Sequence, residues 1–170
     1  MNTGLALNGA ITDPIPVVID TNVVLDWLVF RSEDTAELGA AIEAGQLVWL
    51  ATPAMREESV EVLDRLRTHA HLQRWDERRL PALAAVERWM QPVDAPPPLP
   101  WPMRLRSVDP DDQIYIDLAL HRRIPWLLSR DRALLKLAKR ARPHGVQVLT
   151  PAQWKACWAA QASVDRPASA

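Results

Sequence analysis

The sequence predicts an α/β fold, a three-layer sandwich with a mostly parallel central sheet flanked by helices. Three observations carry this. Short, almost wholly apolar runs recur along the 170-residue chain: "PVVID" at 16–20, "QLVWLA" at 46–51, "IPWLLS" at 124–129 and "VQVLT" at 146–150. Such runs suit strands covered on both faces, as in a parallel sheet. Segments with helical spacing of apolar residues lie between them, and that alternation indicates a layered architecture. Helix punctuation falls where the alternation needs it, with Thr52-Pro53 opening one helix and Gly45 closing another.

Taken in order, residues 1–15 read as a flexible arm. A single domain is expected over 16–161, and 162–170 as a disordered tail. After the first strand, Asn22 to Phe30 and residues 33–45 read as helices. The second strand, 46–51, leads into a helix from Pro53 to about Arg67. A further helix fits Asp76 to Met90. "QPVDAPPPLPWP" (91–102) is too rich in proline for regular structure, since proline removes backbone donors and restricts its predecessor. Asp109-Pro110 is expected to start the next helix, running to about Arg122. The strand 124–129, a helix over 130–141, the strand 146–150 and a helix over 151–161 complete the domain.

Bulk properties exclude several classes. A chain of this length buries enough surface to need no staple, and its single cysteine, Cys157, permits no internal disulfide. Residues 1–16 have neither a basic opening nor a long apolar core, so no signal peptide is expected. No apolar run approaches the ~18 residues of a membrane span. A cytoplasmic protein without membrane association is the expectation. Net charge is only −1, yet eight basic residues and one acid lie between His121 and His144. Such a stripe reads either as a solvated helix face or as a surface for nucleic acid. The four histidines are not at metal-ligand spacings. The eight tryptophans are expected mainly in packing.

The acids carry the functional argument. Asp20 ends an apolar strand, where an unpaired charge costs several kcal/mol. Asp131 follows the strand 124–129. In parallel sheets, ligands collect beyond the carboxyl ends of the strands, so both acids face one crevice. Glu58 flanks the apolar stripe Met55, Val62, Leu66, whereas Glu57 falls on the opposite face. Asp112 shares a stripe with Tyr115, Ile116 and Ala119. Asp109 suits a helix N-cap, Asp111 a first-turn acid, and Asp117 a pairing with a basic neighbour.

Each acid alone has an ordinary structural explanation. Together, crowded carboxylates repel one another, and a divalent cation relieves that. An oxygen-only ligand set with no Cys/His cluster selects Mg²⁺ or Mn²⁺. The chemistry expected is phosphodiester hydrolysis, with Asp20, Asp112 and Asp131 at the metal and Thr21, Asn22 and Ser129 orienting carboxylates or waters.

"VVIDTNVVLDWL", "TPAMREESVEVL", "DPDDQIYIDLAL" and "WLLSRDRALL" together resemble the four acidic motifs of PIN-domain ribonucleases, in particular the toxins of bacterial toxin–antitoxin pairs. The resemblance covers about residues 16–155. It implies a PIN-like fold, Asp20, Glu58, Asp112 and Asp131 as the catalytic acids, and Asn22 and Ser129 assisting. It also implies an Mg²⁺- or Mn²⁺-dependent endoribonuclease acting on RNA, a homodimer or higher homo-oligomer, and a cognate antitoxin. Asp111 stays open as a substitute for Asp112, and Asp109 as an outer contact. Arg130 and Arg132, flanking Asp131, are expected to seat RNA phosphate.

Rival readings are weaker. A phosphatase using Asp20 as nucleophile wants an acid two residues on, where Asn22 stands. A phospho-receiver wants a lysine after a late strand, where Arg130 or Thr150 stands. A non-catalytic RNA- or protein-binding module gains nothing from four crowded acids.

Overall fold

A computed structural model describes residues 13–100 and 103–164. Residues 1–12, 101–102 and 165–170 lie outside the described residues, and with them most of the expected arm, Trp101 and the end of the expected tail.

The chain runs β1 (Ile15–Ile19), α1 (Thr21–Leu25), α2 (Glu33–Glu43), β2 (Leu47–Ala51), α3 (Pro53–Thr68), α4 (Arg79–Trp89) and β3 (Met90–Pro92). It continues with α5 (Gln113–His121), β4 (Trp126–Leu128), α6 (Arg132–Leu135), α7 (Ala138–Ala141), β5 (Gln147–Leu149) and α8 (Pro151–Val164). The five strands form one sheet in the order β3-β2-β1-β4-β5, every neighbouring pair parallel. The expected α/β sandwich around a parallel sheet is what forms.

β1 is the strand where this order reverses. β2 and β3 build outward on one side of it, β4 and β5 on the other. The crevice of an open parallel sheet forms at such a reversal, outside the carboxyl ends. Val17, Val18 and Ile19 are 3% exposed or less, as a central strand covered on both faces requires. Around them pack Trp49 and Trp126 from the neighbouring strands, Leu38, Leu63 and Ile116 from the helices, and Trp154 from α8. Trp154 stacks on Trp158 at 5.3 Å between ring centres, and Trp126 meets both rings edge-on. The tryptophans so placed are packing residues.

Several boundaries differ from expectation. The first helix becomes one turn of π-helix over Asp26–Phe30, closing on Arg31 in the left-handed region at φ 54°. α2 ends at Glu43, and Gly45 follows at φ 71°, the left-handed conformation that suits glycine after a helix. Thr52 caps α3 as expected, through a long 3.4 Å bond from the Met55 amide. The buried stripe of α3 is Met55, Ser59, Leu63 and Leu66, with Leu63 in the place given to Val62.

The segment 73–90 opens as a 3₁₀ turn, Gln73–Arg78, before α4. The proline-rich segment was expected to hold no regular structure. This is corrected: Met90–Pro92 forms β3, pairing with Trp49, Leu50 and Ala51. The strand lies at the sheet edge, where a proline costs no ladder bond. α8 extends to Val164, three residues past the expected domain end. The helix expected over 130–141 divides into α6 and α7, where the Leu137 amide reaches back only three residues to the Leu134 carbonyl at 2.9 Å.

The helix expected from Asp109-Pro110 begins instead at Gln113. The Asp109 carboxylate accepts the Asp111 amide at 3.0 Å, a local turn that competes with helix initiation. Gln113 then pins the preceding loop. Its side chain donates to the Leu105 carbonyl at 2.8 Å and accepts the Ser107 amide at 2.9 Å. Asp112 is thereby fixed at the N-cap of α5 rather than within its first turns.

Candidate functional site

The register of β1 against β4 sets the centre of the site. Ile19 pairs with Leu128, and the Asp20 amide donates to the Leu128 carbonyl at 2.9 Å. Asp20 therefore stands beside Ser129 at the reversal point, only 3% exposed. The fully buried Ser129 hydroxyl donates to Asp20 Oδ2 at 2.7 Å. Ser129 Oγ in turn accepts the Asp131 amide at 2.8 Å. Burial pushes the Asp20 carboxyl above its ordinary range; the Ser129 hydrogen bond opposes this, while the charges of Glu58 and Asp131 add to it. One hydroxyl thus only partly offsets the cost of ending a buried strand on an acid.

Asp131 is the N-cap of α6, its Oδ1 accepting the Ala133 amide at 2.6 Å. Its capping role and its place at the crevice coexist, since one carboxylate has two oxygens. Asp112 caps α5 by position but accepts no capping hydrogen bond. Its Oδ2 is buried without a partner. Burial, then the charges of Asp131, Asp20 and Asp109, raise its pKa to about 7. Asp111, one residue earlier, is exposed. Of the two, Asp112 is the one brought to the other acids.

Glu58, half-buried on α3, accepts a hydrogen bond from the Tyr115 hydroxyl at 2.9 Å. The Tyr115 oxygen also lies 2.8 Å from Thr21 Oγ1. Four segments, those after β1, in α3, before α5 and after β4, thus bring Asp20, Glu58, Asp112 and Asp131 to one crevice. A groove of about 420 Å³ runs beside it, lined by Glu58, Arg65, Asp111 and Ile114 among others.

Other expected residues sit further out. Asn22 and Asp109 are exposed. Arg130 is held by acids outside the crevice, paired with Asp26 and, at 3.3 Å, with Asp34. Arg132 is exposed, as are Lys136, Lys139, Arg140 and Arg142 along the same basic stripe. Asp117 pairs with Arg104 at 3.6 Å, the basic neighbour expected of it.

Two residues escaped the sequence reading. Tyr115 was read as inward packing, and Asp26 was not considered. A signal for the first existed: a phenol on an inward stripe needs a hydrogen-bond partner, and this is the single tyrosine of the chain. No comparable signal marks Asp26.

As the side chains stand, no three acidic, histidine or cysteine groups among the described residues converge tightly enough to hold a metal ion. The chemistry of the set nonetheless fits one. All four acids offer oxygen only, their charges oppose one another, and the buried Asp112 Oδ2 lacks a partner. Mg²⁺ favours such a site because it keeps several waters and takes only one or two carboxylates directly.

Comparison with known proteins identifies the family and the fold. A family model for the PIN domain matches residues 16–133, a span that contains all four acids. A chain in the crystal structure of VapBC2 from Rickettsia felis, bound to a DNA fragment from their promoter, superposes with a TM-score of 0.54. At 11% identity the superposition covers 80% of this chain and 98% of that one, which shows a shared fold. No curated protein sequence matches the chain.

Proposed function

The chain belongs to the PIN-domain family, a family of nucleases, and from that premise we propose that it is a metal-dependent endoribonuclease. The observation that carries this reading is the convergence of Asp20, Glu58, Asp112 and Asp131 at the reversal point of the sheet, with Asp20 and Asp112 held above their ordinary pKa by burial and by the charges of neighbouring acids. Asp20, Asp112 and Asp131 would hold an Mg²⁺ or Mn²⁺ ion. Bound there, the ion would supply an activated water and offset the charge that builds on the phosphate.

The chain's own residues do the rest. Ser129 fixes Asp20 and the start of α6 together. Glu58 faces the same crevice from α3. Thr21 steadies the segment after β1, and Asn22 and Asp109 stand at the rim. A cluster of acids repels RNA, so a basic surface must draw it in. The exposed stripe from Arg132 to Arg142 is suited to that. Arg130, tied to Asp26 and Asp34, flanks the phosphate position and shapes its edge.

In the same reading the protein is the toxin of a toxin–antitoxin pair, a homodimer or higher homo-oligomer of the cytoplasm. A cognate antitoxin would cover the crevice. The fold shared with a chain of the VapBC2 complex supports this. Among the described residues no helix is long and apolar enough to cross a membrane.

The test is Mn²⁺ binding by calorimetry, comparing the intact chain with Asp20→Asn, followed by an RNA cleavage assay. Binding by the intact chain alone, with cleavage of RNA and not of small phosphate esters, is the expected result. Failure of the intact chain to bind metal even with RNA present sinks the reading. Cleavage of small esters instead would favour a phosphatase.

A further inference from the structure

Tyr115 lies on α5 one turn after Asp112 and is 1% exposed. A phenol has one proton to donate. It goes to Glu58 Oε2 at 2.9 Å, so the 2.8 Å contact with Thr21 is donated by the threonine hydroxyl. The result is a directed chain from Thr21 through Tyr115 to Glu58. It ties the segment after β1, α5 and α3 through one oxygen, across sequence separations of 94 and 57 residues. Burial, with Glu58 and Asp20 adding to it, holds the phenol far above its ordinary pKa. The group therefore stays a neutral donor and adds no charge to an already acidic crevice.

Packing alone does not ask for this hydroxyl, since phenylalanine fills nearly the same volume. Glu58 extends from a helix on a flexible side chain, and a carboxylate at a crevice must be held before it can act. We propose that Tyr115 is a positioning residue: its hydroxyl, fixed by Thr21, holds one oxygen of Glu58 and leaves the other free for the crevice. This rests on the reading of the four acids as a divalent-cation site, in which Glu58 orders the waters around the ion. Groups in that outer position are worth about 10–100-fold in metal affinity.

The test is calorimetric Mn²⁺ titration of the intact chain, Tyr115→Phe, Glu58→Gln and the double variant, each with a thermal melt in the absence of metal. Tyr115→Phe is expected to weaken Mn²⁺ binding by about tenfold, Glu58→Gln by a similar factor, and the double variant no more than Glu58→Gln alone. Replacing Tyr115 with 4-aminophenylalanine, which restores a donor, is expected to recover most of the affinity. Unchanged affinity in Tyr115→Phe, with the intact chain binding normally, overturns the positioning role and leaves the cation site standing. Absence of binding by the intact chain overturns both. If Tyr115→Phe gives no cooperative melt, Thr21→Val replaces it: a severalfold loss supports the relay, and unchanged affinity overturns it.

Discussion

The Ser129 hydroxyl donates to the Asp20 carboxylate across 2.7 Å, between residues 109 positions apart in the chain. It stabilises the charged form of a group whose burial favours the neutral one. Replacing Ser129 with alanine leaves that carboxylate without its donor. A hydrogen bond to a charged group contributes about 1.5–3 kcal/mol. Denaturant unfolding should show a loss of that order at pH 8 and a smaller one at pH 3, which lies below the ordinary carboxyl range and so below the raised one of Asp20. An equal loss at both values would mean that Asp20 carries no charge in the folded protein.

Asp112 predicts the opposite sign. Its folded pKa of about 7 exceeds the ordinary aspartate value of 3.8. As pH rises from 4 toward 7 the unfolded chain loses this proton before the folded one does, so stability falls across that window. The group is partly exposed, and after allowance for solvent screening the effect is about 1 kcal/mol. Asp112→Asn should therefore raise the metal-free melting temperature by a few degrees at pH 8 and by almost nothing at pH 3. An unchanged or lower melting temperature at pH 8 counts against the repulsion.

Metal should reverse that ranking. A ligand that binds only the folded state stabilises by about 2.7 kcal/mol at a hundred times its Kd. Excess Mn²⁺ should lift the melting temperature of the intact chain and leave that of Asp112→Asn nearly where it was. Removal by a chelator should return both to their metal-free values. Equal shifts in the two proteins would place the ion elsewhere.

Gly39 is required by a neighbour rather than by its own backbone. A Cβ there would lie 2.2 Å from Nε1 of Trp27, whose ring meets Trp49 edge-on at 5.9 Å. Overpacking of a well-filled site costs about 1–3 kcal/mol. Gly39→Ala should lower the unfolding midpoint accordingly, and Trp27→Phe, which removes the clashing atom, should recover part of that loss in the double variant. No loss in Gly39→Ala would show that the Trp27 ring moves freely.

The basic stripe is checked by salt. Each phosphate neutralised on single-stranded RNA adds about 0.7 to the slope of log affinity against log salt. Replacing Arg130 and Arg132 together with alanine should lower that slope by about 1.4, one phosphate contact for each arginine. An unchanged slope removes both from the RNA surface, and leaves Arg130 as a tie between the end of β4 and the acids Asp26 and Asp34.

The parallel sheet was legible because central strands must be apolar on both faces, and four of the five announced themselves that way. β3 did not, since it is three residues long and ends in Pro92. An edge strand pairs on one side only, so its sequence is less constrained. Asp20 and Asp131 were legible from where strands end, and Glu58 and Asp112 from the apolar stripes beside them. Their hydrogen-bond partners did not follow, because they are set by contacts between distant segments. Nothing local to Tyr115 names Glu58, and nothing local to Arg130 names Asp26. The start of α5 was misjudged for a related reason: Asp109 satisfies a turn as readily as a cap, and Gln113's bonds to Leu105 and Ser107 decided between them.

The reversal of strand order at β1 also governs when the site comes into being. Asp20 is synthesised well before the strand that places Ser129 and Asp131 beside it, which lies more than a hundred residues behind. No contiguous part of the chain shorter than that carries the crevice. A chain that stops short of β4 thus lacks half of the crevice, which should form in one step when β4 docks against β1. Conditions that loosen the β1–β4 pairing would part Asp20 from Ser129 and Asp131 and so take the crevice apart.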